Sequence, residues 1–220
     1  MTVASPDTFA LIATERRRLC NELDQLSEAD WAAASLCEGW TAHTVAAHLT
    51  LSWAGSKLGL VANLVRARGD LGATIDRSSR QLAEQRTPAE CVADLRAHAE
   101  DRTVPPTMPP EAPLTDVLVH GADLLRPLGR SVAVGPEALA TALDFLVGPK
   151  AARGFRSASL DGLRLQATDV AWRWSAPDVG DDGGALVSGP ALAVAGLLVG
   201  RRAYVPDLTG PGVALLVGRL

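Results

Sequence analysis

The chain has 220 residues, 47% of them hydrophobic and 21% charged, which is enough apolar content for a real core in one large or two small domains and excludes a disordered tail. A formal net charge of −4 and a pI near 5.6 leave no basic excess for nucleic acid, and no apolar run reaches the ~18–20 residues that span a membrane. Three scattered cysteines, Cys20, Cys37 and Cys91, form neither a disulfide framework nor a CxxC pair and fit a reducing cytoplasmic setting, and the first ten residues lack the blocks of a signal peptide, so the chain reads as soluble and unprocessed.

Hydrophobic periodicity divides the chain into a helical front and a shorter mixed tail, an α+β organisation with domains expected at 1–150 and 151–220. In residues 7–26, Phe9, Ile12, Leu19, Leu23 and Leu26 fall on one helical face, while Glu15, Arg16, Arg17 and Arg18 fill the other. Residues 27–40 are interrupted by Ser35, Gly39 and two tryptophans, after which Thr41 caps a second helix expected to run to about Val65. A weaker helix is expected over 74–85. Thr87, Pro88 and Glu90 then open another that ends near Asp101. Five prolines in the segment from Thr103 through Pro113 predict an extended linker, Pro113 opens a helix that stops at Pro127, and Pro136 opens one that ends near Val147.

Beyond Phe155 the period changes to two. Residues 160–168 and 170–175 read as antiparallel strands, and a Gly/Asp turn over 178–184 leads to a short apolar stretch from Ala185. Gly189-Pro190 opens an apolar helix that closes at Gly200-Arg201, and residues 212–217 read as a final strand.

Only four histidines occur, His43, His48, His98 and His120. Asp116 precedes His120 by four residues and Asp123 follows it by three, so all three project from adjacent turns of one face. A carboxylate and an imidazole at this spacing either share a metal or simply line a solvated helix face. The apolar neighbours Val117, Leu118, Val119, Leu124 and Leu125 favour groups that are paired or metal-bound. His48 sits among small apolar residues of the second helix. It reads as a satisfied core histidine, or with Asp116 and His120 as the third ligand of an open catalytic metal site. His43 and His98 are assigned to the surface, and Trp31, Trp40 and Trp53 to the bundle core.

The run Ser35-Leu-Cys-Glu-Gly-Trp-Thr-Ala-His-Thr-Val-Ala-Ala-His-Leu resembles the signature of the mycothiol-dependent maleylpyruvate isomerase family. Asp116-Val-Leu-Val-His-Gly-Ala-Asp-Leu-Leu-Arg-Pro-Leu-Gly is similar to its second motif, and the segment from Val187 to Arg201 resembles its small C-terminal domain. The resemblance implies a DinB-like four-helix bundle followed by a small α/β domain, with His48, Asp116 and His120 as ligands of a divalent metal, zinc by preference. The family has glutamate where Asp116 stands, so the shorter carboxylate has to approach more closely or bind through water.

The resemblance also implies mycothiol or another low-molecular-weight thiol as cofactor, activated at the metal for addition to an electrophilic small molecule, in an isomerase or an S-transferase. No nucleic acid or membrane partner is implied. Arg126 and Arg201 are the candidate cations for an acidic substrate or developing enolate, and Asp123 is a candidate to orient a ligand histidine, a helix-surface role being the alternative. Two other readings stand beside this one. Cys37 would act as nucleophile with His43 or His48 as base, although the sequence offers no third orienting group, or a DinB-like protein would hold metal or a small molecule without turnover.

Overall fold

A computed structural model describes residues 7–55, 57–105, 107–131, 133–180 and 183–220. The linker's Pro106, the turn's Asp181 and Asp182, and the first six residues lie outside them. The fold is α+β, mostly helical with one three-stranded sheet toward the C-terminus. Its described residues group into two units: those of 9–103 with 116–133, and those of 104–115 with 134–220 together with Asp7 and Thr8.

The first unit is a helical bundle. α1 (Thr8–Leu23) buries Ile12, Leu19 and Leu23 along one stripe, each contributing about 1.5–3 kcal/mol on leaving water. Glu15 and Arg16, placed on the solvent face by periodicity, are in fact buried. Arg16 donates to the carbonyls of His98, Ala99 and Asp101, and Glu15 accepts from Arg18 Nε at 2.6 Å. α2 (Glu28–Ala32) is one turn held by a Ser27/Asp30 capping box. α3 (Ala42–Ala54) begins, as expected, with the Thr41 side chain accepting from Thr44 N, but it does not run to residue 65. Gly55 caps it with its N–H on the Leu51 carbonyl, and a Cβ at Gly55 would collide with that same carbonyl, so the chain turns where only glycine fits. α4 (Lys57–Arg66) then packs on α5 (Leu71–Gln85), which starts three residues earlier than expected because Asp70 accepts from Ala73 N.

α6 (Pro88–Ala97) carries the expected capping box, Thr87 with Glu90, and Pro88 in its first turn. α3 contacts both α5 and α6. α7 (Glu111–Leu125) begins two residues before Pro113, which the first turn tolerates because no N–H is needed there. Its Gly121 lets the Leu19 side chain of α1 press against the backbone.

In the second unit α8 (Pro136–Val147) packs against α9 (Ala191–Leu198), an almost wholly buried helix. The sheet has the order β2-β1-β3. β1 (Leu163–Ala167) pairs antiparallel with β2 (Arg173–Ser175), as the period-two pattern predicts, and parallel with β3 (Ala185–Gly189), so that Leu165 faces Trp174 on one side and Val187 on the other. Residues 212–217 are not a strand but a short helix, α10 (Gly212–Val217), that contacts β3. Beside β3 the edge groups of Ser188 are taken by Thr209, whose N–H and carbonyl exchange bonds of 2.7 and 2.9 Å with it. Pro211 then leads into the helix, and Gly212 passes so close to Ala185 that a Cβ would strike its carbonyl.

Candidate metal centre

His48 lies in the middle of α3, Asp116 and His120 one turn apart on α7. The Nε2 atoms of His48 and His120 each stand 3.6 Å from Asp116 Oδ1. The two imidazoles meet edge to face at 4.7 Å between centroids, and the three donor atoms lie within 4.8 Å of one another. Ligands bound tetrahedrally at usual Zn–N and Zn–O lengths stand about 3.4 Å apart, close to the two 3.6 Å separations from Asp116, so these residues could hold a divalent ion. The aspartate arm, one methylene shorter than the family's glutamate, still reaches both imidazoles.

The other ring nitrogens are also engaged. Nδ1 of His48 meets the Ser79 hydroxyl of α5 at 3.2 Å. Nδ1 of His120 meets Asp123 Oδ2 at 3.0 Å, and that carboxylate is fully buried. A second group of donors, Cys37, His120 and Asp123, therefore adjoins the first through the shared imidazole. Cys37 Sγ lies 3.1 Å from Asp123 Oδ2 and 3.6 Å from His120 Nδ1. The loop between α2 and α3 thus supplies the contact to a carboxylate and an imidazole that the sequence did not show for Cys37.

The electrostatics follow from these contacts. Burial works against a charge on His120, but the hydrogen bond to Asp123, then the Cys37 thiol and the charge of Asp116, outweigh it and raise its pKa to about 10. Burial likewise favours the neutral acid at Asp116, yet the hydrogen bond from His48 and the charges of His48, His120 and Arg16 hold it below its ordinary value.

Trp40 is half-buried and belongs to this site rather than to the bundle core. Its ring lies 5.2 Å from that of His48 and 6.3 Å from that of His120, and its Nε1 donates to Asp76 Oδ1 at 2.6 Å. Arg80 bonds the same carboxylate oxygen and the Gly39 carbonyl, while Gly39 takes φ +70° to turn the loop. The signature residues Cys37, Gly39 and Trp40 therefore form a clamp around the two histidines.

His43 and His98, assigned to the surface by sequence, are half-buried and bonded. His43 Nε2 meets the Arg86 carbonyl at 2.8 Å and its ring packs edge-on to Trp31, beside a hollow of about 410 Å³ whose lining includes Thr41 and Pro88 but none of the metal-site donors. His98 stacks on Trp53 at 5.0 Å. Both tryptophans are half-buried, each using its ring on a histidine. Among the remaining sequence candidates, Arg126 opens the 3-10 turn after α7. Arg201 belongs to the C-terminal unit, where its Nη1 reaches the Val199 carbonyl at 3.4 Å.

Residues 12–133 match the family model of the mycothiol maleylpyruvate isomerase N-terminal domain. Two solved structures are similar over 96% of this chain and 94% of theirs. One is a mycothiol-dependent maleylpyruvate isomerase with a histidine-to-alanine substitution (18% identity, TM-score 0.56), the other the mycothiol-dependent maleylpyruvate isomerase itself (17%, 0.55). At such identity the likeness is one of fold. No curated protein matches. The matched region spans more than half of the chain and contains every residue of the cluster around His48 and His120, and the chain accordingly belongs to the mycothiol maleylpyruvate isomerase family.

Proposed function

We propose that the protein is a metal-dependent enzyme that uses a low-molecular-weight thiol, mycothiol by family, against an electrophilic small molecule in the cytoplasm. The observation that supports this best is the meeting of two imidazole nitrogens and one carboxylate oxygen within 4.8 Å, with tryptophan and serine beside them. A divalent ion held by His48, Asp116 and His120, zinc by preference, supplies a Lewis acid that lowers the pKa of a thiol, and the thiol supplies a nucleophile for an activated double bond.

The chain's own residues prepare that chemistry. Asp123 accepts from Nδ1 of His120 and so turns the Nε2 lone pair toward Asp116. Ser79 plays the same part for His48. Trp40 covers both rings and limits water around them. Arg126 and Arg201 are the proposed cations for a substrate carboxylate or enolate, each to be tested alone by replacement with glutamine. Isomerisation regenerates the thiol and S-transfer consumes it, so the thiol balance of the assay separates the two reactions.

The test joins metal analysis to a thiol-dependent assay on a panel of electrophiles that includes maleylpyruvate. About one divalent ion per chain is expected in the wild type and none in His48→Ala or His120→Ala, with turnover requiring both metal and thiol. A wild-type protein that stays metal-free in micromolar zinc overturns the proposal. A metal-loaded protein whose visible spectrum, after cobalt substitution, ignores added thiol leaves a metal-binding protein without this activity.

A further inference from the structure

Cys37 has no part in the thiol chemistry proposed above, yet it sits against that site more tightly than any surface thiol would. Its Sγ approaches Asp123 Oδ2 at 3.1 Å, the same oxygen that meets His120 Nδ1 at 3.0 Å. Asp123 is 0% exposed, so its charge depends on donors supplied by the protein. The loop that carries Cys37 is itself fixed. The Ser35 hydroxyl accepts from Cys37 N at 3.1 Å and bonds the Trp40 carbonyl at 2.9 Å, Trp40 N closes on the Cys37 carbonyl at 3.0 Å, and Leu36 N donates to the backbone carbonyl of Asp123 at 2.9 Å. Asp123 is thus held twice by adjacent residues of one loop, through its main chain by Leu36 and through its carboxylate by Cys37.

We infer that Cys37 is a positioning residue for the metal centre: its thiol donates to Asp123 and fixes the carboxylate that orients His120. The inference rests on the metal reading of His48, Asp116 and His120. The chemistry suits a thiol better than its alternatives. A carboxylate that already accepts from His120 needs a neutral donor that adds no charge, and the long C–S bond lets residue 37 reach Oδ2 while its backbone stays in the turn. The S–H group is weakly hydrated and keeps water from a buried carboxylate. An alanine at residue 37 leaves space in which Asp123 can rotate or take up water, which loosens the imidazole it holds.

Five proteins test this: wild type, Cys37→Ala, Cys37→Ser, Asp123→Asn and the double variant Cys37→Ala/Asp123→Asn. Zinc affinity is measured by chelator competition, and solvent exchange of the His120 Nδ1 proton is measured by NMR on metal-free protein. Loss of a group that orients a ligand typically weakens metal binding about 10–100-fold. Acting at one remove, Cys37→Ala is expected at the lower end, about tenfold, with Cys37→Ser between it and wild type and no further loss when Cys37→Ala is added to Asp123→Asn. The Nδ1 proton should exchange several-fold faster in Cys37→Ala. Melting of the metal-free forms reports any general loss of fold, which does not by itself reproduce the non-additivity. Unchanged affinity and exchange in Cys37→Ala, or full additivity with Asp123→Asn, overturns the inference. If the wild type binds no metal, the metal reading fails while the exchange measurement still decides whether Cys37 holds Asp123 and His120.

Discussion

Raising the pH should weaken the metal-free fold and tighten its grip on metal over the same interval, because both depend on one proton at His120. Burial opposes the charge on that imidazole, but Asp123, Cys37 and Asp116 together raise its pKa from 6.5 to about 10. Between those values the native protein keeps a proton that the unfolded chain has released, so stability falls by about 1.36 kcal/mol per pH unit. The contribution is complete below pH 6.5 and gone once the pH passes about 10, a total on the order of 5 kcal/mol. Coordination needs the Nε2 lone pair, so apparent metal affinity gains about tenfold per unit across the same window. Urea denaturation of chelator-treated wild type and His120→Gln between about pH 6 and 10, with zinc competition at each pH, reads both effects. Cys20 and Cys91, which burial pushes up to about 11 from 9.0, add their own decline only above about pH 9, which leaves the neutral side of the range to His120. A wild type whose urea midpoint is flat from about pH 7 to 9, or a His120→Gln variant that keeps the wild-type slope, refutes the coupling.

Arg16→Lys should destabilise the bundle by about 2–3 kcal/mol in urea titration. Lysine cannot reproduce the bonds to the carbonyls of His98, Ala99 and Asp101 or the packing of the guanidinium 4.7 Å over Trp53, and an unchanged midpoint contradicts that account. Gly196→Ala should cost about 1–3 kcal/mol by overpacking, since its Cβ would drive into the Tyr204 ring; Gly129→Ala, with nothing near its Cβ but φ +68°, serves as a comparison in which backbone strain alone acts. Thr87→Ala removes the side-chain half of the α6 capping box, the bond from Glu90 N to the Thr87 hydroxyl, and should lower stability by about 0.5–2 kcal/mol, with no change in zinc affinity by the same chelator competition.

Several features that depend on neighbours in sequence are announced by the sequence. Thr41, Thr87-Pro88 and Pro136 open helices because capping and a fixed proline φ are local effects, and the alternation over residues 163–167 becomes β1 because the strand has one neighbour on each side and a buried face. Asp116, His120 and Asp123 share a face by helical period alone. The misread features depend on contacts that hydrophobic periodicity does not encode. The break at Gly55 interrupts no apolar period, so periodicity carried the helix to Val65. Six apolar residues over 212–217 suit a strand or a helix equally, and the contact of Gly212 with β3 decides the matter. Glu15 and Arg16 follow a polar pattern on α1, yet Arg16 is buried by carbonyls more than 80 positions away.

The same reasoning explains why Asp123 was visible beside His120 and Cys37 was not. Asp123 stands three residues from His120, within reach of a helical period, whereas Cys37 stands 83 positions from it and meets it only once α7 crosses the loop before α3. The paired bonds at Asp123, Leu36 N to its carbonyl and Cys37 Sγ to its carboxylate, fix that crossing. The Cys-Glu-Gly-Trp run then has a physical reason for its order. Cys37 secures the carboxylate behind His120, Gly39 supplies the positive φ that reverses the chain, and Trp40 lands over both imidazoles, with Thr41 starting the helix that delivers His48 two turns later. A loop that performs all four tasks in five residues leaves little freedom to its sequence, because displacing any one contact moves His48 relative to His120 and thereby the donor spacing on which metal binding depends.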